Sequence, residues 1–228
     1  MTVSDRLRRR VLPRAVVLHS RVDWPARTGA SLRRGFGRAG CVELYFAFHD
    51  PQSAVALVEL ARRMVGRDLT FRLLPVVERG IPGDPAVELK RRYAIADARR
   101  LGARYGLTLS RGEPLDPELV APIAEWVSAA PQTPALVGFC EAAMRELWFR
   151  GDGPVPLNDL AALWRGRLGE DPPLAPGRER VRQNERAMRR RGPYDTPAAW
   201  VHGQWFFAHE RLDQIEQRLD ELGWRAAG

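Results

Sequence analysis

Cysteine is nearly absent. Only Cys41 and Cys140 occur in 228 residues, and they form no CxxC. That spacing excludes a disulfide framework, a cysteine-rich metal site and a dithiol redox couple, and two free thiols are expected. Lysine is scarcer still, Lys90 being the only one, so arginine carries almost all the positive charge. No apolar run approaches the roughly 18 residues that span a bilayer. The longest early run, Ala15 to Leu18, is shorter than a signal-peptide core of about 7 residues. The chain is therefore read as cytoplasmic and without a membrane span. No zinc finger, RNP motif or aromatic-interleaved basic face is present, so no nucleic-acid partner is expected. No ligand spacing such as HxxxH occurs, so no metal site is expected either.

What is present is ordinary in amount and uneven in placement. The apolar fraction is 45% and the charged fraction 28%, values typical of a globular protein of one elaborated or two small domains. Residues 1–40 hold ten arginines against Asp5 and Asp23. Their net charge of +8 equals that of the whole chain, which leaves 41–228 near neutral. Such an arm can bind anionic polymers or membranes, or serve as a plain basic surface.

Leu7, Val11, Ala15 and Leu18 have partial helical spacing, interrupted by Pro13. Residues 23–40 contain Pro25, Gly29, Gly35, Gly37 and Gly40 and read as a loop. From Val42 the pattern changes: Val42, Leu44, Phe46 and Phe48 alternate, predicting a strand. Asp50-Pro51-Gln52-Ser53 then reads as a helix start, with Asp as N-cap and Pro at the first helical position. That helix should run to about Met64, and a second strand should cover Leu69 to Val77. The β-α-β unit requires a parallel pair. Helices are predicted over 84–105, 117–128, 134–150, 158–165 and 177–191. A hairpin follows, Ala198 to His202 and Gln204 to Phe207 with Gly203 at the turn, then an amphipathic helix over 210–222.

Tyr45-Phe46-Ala47-Phe48-His49-Asp50-Pro51-Gln52-Ser53-Ala54, Lys90-Arg91-Arg92-Tyr93 with Asp97, and Asp195-Thr196-Pro197-Ala198 through Glu210-Arg211-Leu212 together resemble the DsbA-like thioredoxin superfamily. Its 2-hydroxychromene-2-carboxylate isomerase and kappa-class glutathione transferase branch is the nearest in pattern. The resemblance implies an α/β thioredoxin-like fold, β-α-β … β-β-α, with an all-helical insertion after the second strand. On that basis 1–40 would be a basic extension, 41–80 with 192–228 the core, and 81–191 the insertion. It also implies glutathione as cofactor, with Thr196 and the cis bond of Pro197 presenting backbone to it, and His209 and Glu210 at its γ-glutamyl end. Position 50 corresponds to the first cysteine or the catalytic serine of such proteins, and position 53 to the second cysteine. Here they are Asp50 and Ser53, which become the candidate catalytic pair.

Two functions follow. One is a glutathione-dependent isomerase or transferase acting on a hydrophobic or aromatic small molecule. The resemblance also leaves room for a homodimer. The other is a non-catalytic thioredoxin-fold binding or interaction protein. A CxxC thiol oxidoreductase is argued against. Asp50 can be a plain N-cap, or a general base or ligand for a cationic group. Ser53 can be an ordinary first-turn residue. His49 and His209, flanking the two turns, can be an acid–base pair with the carboxylates or merely solvated side chains. Trp126, Trp148, Trp164, Trp200 and Trp205 read as core or pocket wall. Asp50 beside a glutathione sulfur would disfavour its ionisation.

Overall fold

The computed structural model describes residues 24–174 and 177–226. The helical spacing from Leu7 to Leu18 lies outside them. The sheet is built from β1 (Gly40–Phe46), β2 (Leu69–Pro75), β3 (Ala198–Val201) and β4 (Gln204–Phe207), in the order β2-β1-β3-β4. β1 runs parallel to β2 and antiparallel to β3, and β3 pairs antiparallel with β4. The parallel pair is joined by α2 (Pro51–Arg63), because parallel neighbours need a crossover. The hairpin turns through His202 and Gly203, both at positive φ (41° and 97°), the backbone of a two-residue type I′ turn. This is the thioredoxin arrangement.

Between β2 and β3 come five helices: α3 (Val87–Arg104), α4 (Pro117–Ala129), α5 (Pro134–Trp148), α6 (Leu157–Leu168) and α7 (Arg178–Arg191). α8 (Leu212–Glu221) ends the fold. Among the described residues, no helix is long and apolar enough to cross a membrane.

α2 is enclosed because its apolar residues go all round. Val55, Ala56, Leu57, Val58 and Leu60 are all buried, with β1, α3, α5 and α8 packed on it. A helix without a polar face must be covered on every side. Trp148, Trp164 and Phe139 fill the join with the inserted helices, the Phe139 and Trp164 rings meeting edge to face at 4.8 Å. Each such side chain contributes roughly 1.5–3 kcal/mol through burial. Trp148 Nε1 also donates to Phe48 O at 2.8 Å, fixing the end of β1 to α5. α8 is strapped to α2 by Arg63 on Asp213 (2.7 Å) and to the turn after it by Arg67 on Asp220 (2.6 Å).

The loop expected over 23–40 is corrected. Trp24–Gly35 is a helix, α1. Gly29 lies inside it, where glycine weakens a helix. Gly37 ends it at φ +63°, with Gly37 N–H donating to Arg34 O (2.9 Å) and Arg38 N–H to Arg33 O (2.8 Å). Those two bonds are a Schellman closure, for which glycine is the usual residue. Ala30 is fully buried against the core, and Arg34 lies over the Trp224 ring at 5.8 Å. A short apolar stripe of alanines gives too little periodic signal to reveal this helix from sequence.

Candidate functional site

Asp50 caps α2. Its Oδ1 accepts from Gln52 N–H at 3.3 Å and its Oδ2 from Ser53 N–H at 3.1 Å, so the orphan amides of the first turn end on this carboxylate. Oδ2 also accepts from Ser53 Oγ at 2.5 Å and from Thr196 Oγ1 at 3.2 Å. Ser53 Oγ in turn accepts from Ala47 N–H at 3.2 Å. Asp50 and Ser53 are both fully buried. Asp50, Ser53 and Thr196 converge, and the Thr196–Pro197 bond is cis.

The residue that sequence reasoning missed is Arg79. Its Nη1 lies 3.0 Å from Asp50 Oδ2 and 3.2 Å from Asp195 Oδ1, and donates to Thr196 Oγ1 at 3.1 Å. The negative charge of Asp50 is therefore answered inside the protein. Arg79 sits in the loop after β2, and that loop is held from two sides. Glu185 of α7 accepts from Val77 N–H (3.0 Å) and Glu78 N–H (2.9 Å), and Gly80 N–H donates to Tyr194 O at 2.8 Å. The only sequence signal was physical: a cap carboxylate entering an otherwise apolar buried helix needs a cation, and an arginine follows the neighbouring parallel strand. Burial pushes the Asp195 carboxyl up, and Arg79 beside it pulls the other way.

Two cavities flank this cluster. The larger, about 680 Å³, is lined by His49, Arg79 and Asp195, by Val77, Ile81 and Tyr194, and by Val87, Lys90 and Arg91 of α3. Neither Asp50 nor Ser53 lines it. The smaller, about 360 Å³, is lined by His209 and Glu210 together with Asp97, Arg100 and Arg104. So the structure does not bring Glu210 into the larger groove with Arg79. Gln52 Nε2 donates to Asp97 Oδ2 at 2.6 Å, tying the start of α2 to α3 beside that smaller cavity.

The two histidines are not solvated side chains. His49 is 7% exposed and His209 8%, and the Nδ1 of each is buried without a hydrogen-bond partner among the described residues. Burial, reinforced by Arg79, pushes the His49 pKa down to about 4, so its imidazole is neutral at pH 7. His209 Nε2 approaches Glu210 Oε1 at 3.8 Å. Burial likewise raises the Cys41 thiol, and raises the fully buried Cys140 thiol well above its ordinary value. Neither resembles an activated nucleophile.

No protein-family model matches the sequence, and no curated protein does. Solved structures do. A 2-hydroxychromene-2-carboxylate isomerase superposes with TM-score 0.65 at 20% identity, covering 80% of this chain and 95% of that one. A probable DsbA oxidoreductase from Streptomyces coelicolor gives TM-score 0.63 at 14% identity, covering 83% and 92%. The cytosolic disulfide reductase DsbM from Pseudomonas aeruginosa, solved with GSH, gives 0.53 at 16% identity, covering 80% and 96%. At such identities these are likenesses of fold alone, a thioredoxin-like sheet with inserted helices.

Proposed function

From a DsbA-like thioredoxin fold whose helix-terminus turn is closed by an ion pair, we propose that this chain binds a small anionic molecule in the groove beside Arg79, without thiol-exchange or thiolate-activating chemistry. The observation that carries this is the burial of Asp50. In the thioredoxin fold the first-turn amides are what stabilise a thiolate. Here the Gln52 and Ser53 amides end on Asp50, whose Oδ2 is further engaged by Ser53, Thr196 and Arg79. Nothing at that helix end is left for sulfur.

The groove has its own chemistry. Arg79 makes its protein contacts through Nη1, and its Nε and Nη2 bond to nothing among the described residues. A guanidinium with one edge spent and one edge open in a cavity wall suits a carboxylate. Val77, Ile81, Val87 and Tyr194 supply apolar wall for the ligand's body. Glutathione, with two carboxylates, is the first ligand to try, and an aromatic carboxylate the second. The test is calorimetric titration of the intact protein and of Arg79→Lys, which keeps the charge and loses the fork. Weaker binding in Arg79→Lys, with melting unchanged, supports the reading. Equal affinity for the amide analogue of the carboxylate, or no binding by either ligand class, refutes it.

His49 favours a second reading, a glutathione-dependent isomerase acting on an aromatic carboxylate. The neutral imidazole of His49 lines the groove wall and is suited to move a proton on a bound substrate. Glutathione-dependent turnover of 2-hydroxychromene-2-carboxylate, abolished in His49→Phe, would establish this reading over simple binding.

A further inference from the structure

We propose that the outward side of α1 is a docking surface for an anionic lipid bilayer. Leu32 is 58% exposed and Phe36 77% exposed. Phe36 N–H donates to Leu32 O at 3.0 Å, so the two stand one helical turn apart, on the side away from the buried Ala30. Arg33 and Arg38, both exposed, adjoin them in sequence. Two large apolar side chains on a helix turn next to arginines form the arrangement of an interfacial helix, apolar tips below the headgroups and cations level with the phosphates.

The charge supports the same occupant. Residues 1–40 carry +8, and the remainder of the chain is near neutral. Within the described part of that segment, residues 24–40, Arg27, Arg33, Arg34 and Arg38 stand without an acidic residue among them. An anionic leaflet attracts such a segment by about 1 kcal/mol per arginine near the surface. Nucleic acid would use the arginines and could stack on Phe36, but it leaves Leu32 without a role. A bilayer uses all of them.

The surface is also held in shape. Arg34 lies over Trp224, Ala30 is buried, and the Gly37 closure fixes the end of the helix that carries Phe36. A rigid presentation lowers the ordering cost of docking.

The experiment is co-sedimentation of the full chain with phosphatidylcholine vesicles and with mixed phosphatidylglycerol–phosphatidylcholine vesicles, at low and physiological salt. The expected result is partitioning onto the anionic vesicles only. Leu32→Ser with Phe36→Ser should weaken it about a hundredfold, as the loss of two inserted apolar side chains implies. Arg33→Ser with Arg38→Ser should weaken it about fivefold per charge removed. Thermal melting of both variants, unchanged from the parent, keeps the comparison clean because all four side chains are exposed. Equal binding to neutral vesicles, no binding to anionic ones, or binding indifferent to the Leu32 and Phe36 changes would overturn the proposal. So would displacement from anionic vesicles by duplex DNA in a manner that also ignores those two residues.

Discussion

Removing Arg79 while leaving Asp50 strands a carboxylate that is fully buried. Breaking a buried ion pair from one side costs roughly 3–5 kcal/mol, because the remaining charge has neither partner nor water. Here Asp50 keeps Ser53 N–H, Ser53 Oγ and Thr196 Oγ1 as donors, so Arg79→Ala should fall near the lower end, about 3 kcal/mol. Asp50→Ser is the milder change. Serine caps about as well as aspartate, and Arg79 retains Asp195 at 3.2 Å. Its cost should be about 1–2 kcal/mol, since Arg79 is partly open to solvent. The double variant lacks the stranded charge, so it should be more stable than Arg79→Ala alone, with a coupling of about 2–3 kcal/mol that exceeds the cost of Asp50→Ser. Urea unfolding followed by tryptophan fluorescence measures all three. A cost below about 1 kcal/mol for Arg79→Ala, the value of a surface pair, would refute the reasoning. So would a double variant no more stable than Arg79→Ala.

Asp50→Ser should also remove the negative charge at the helix end beside a retained Arg79. Glutathione should bind tighter by about 1 kcal/mol, more so above the pKa of its thiol, as titration from acid to alkaline pH would show; equal affinity throughout would mean that the sulfur does not reach α2. His49 gives an acid-side instability. Its pKa falls from 6.5 in the unfolded chain to about 4 in the fold, so the unfolded state takes up the proton first. Stability is full above pH 6.5 and lost as pH falls toward 4, by up to about 3 kcal/mol; in His49→Phe that slope should flatten, and an unchanged pH profile would contradict the assignment. Insulin reduction should be undetectable, because Cys140 is buried and the Cys41 thiol is raised; turnover lost on Cys41→Ser with Cys140→Ser would overturn this.

Local order was legible in the residues themselves. Alternation at Val42, Leu44 and Phe46 defines β1, and Asp50-Pro51 sets the start of α2 because cap chemistry is local. The convergence of Asp50, Ser53 and Thr196 was legible only through a resemblance, since Thr196 lies far along the chain from the other two. α1 was not legible, because Ala26 and Ala30 form too small a stripe among glycines and arginines. Nor was the state of the site. Whether Asp50 repels a ligand or is neutralised depends on a cation from another loop, and that loop is placed by Glu185 and Tyr194. The burial of His49 and His209 was likewise hidden, because exposure is set by the helices packed over a turn and not by the turn. Sequence determined the strands and the helices other than α1 through period and capping. Tertiary structure decided which charges meet, because Coulomb partners are chosen by distance in space rather than by separation along the chain.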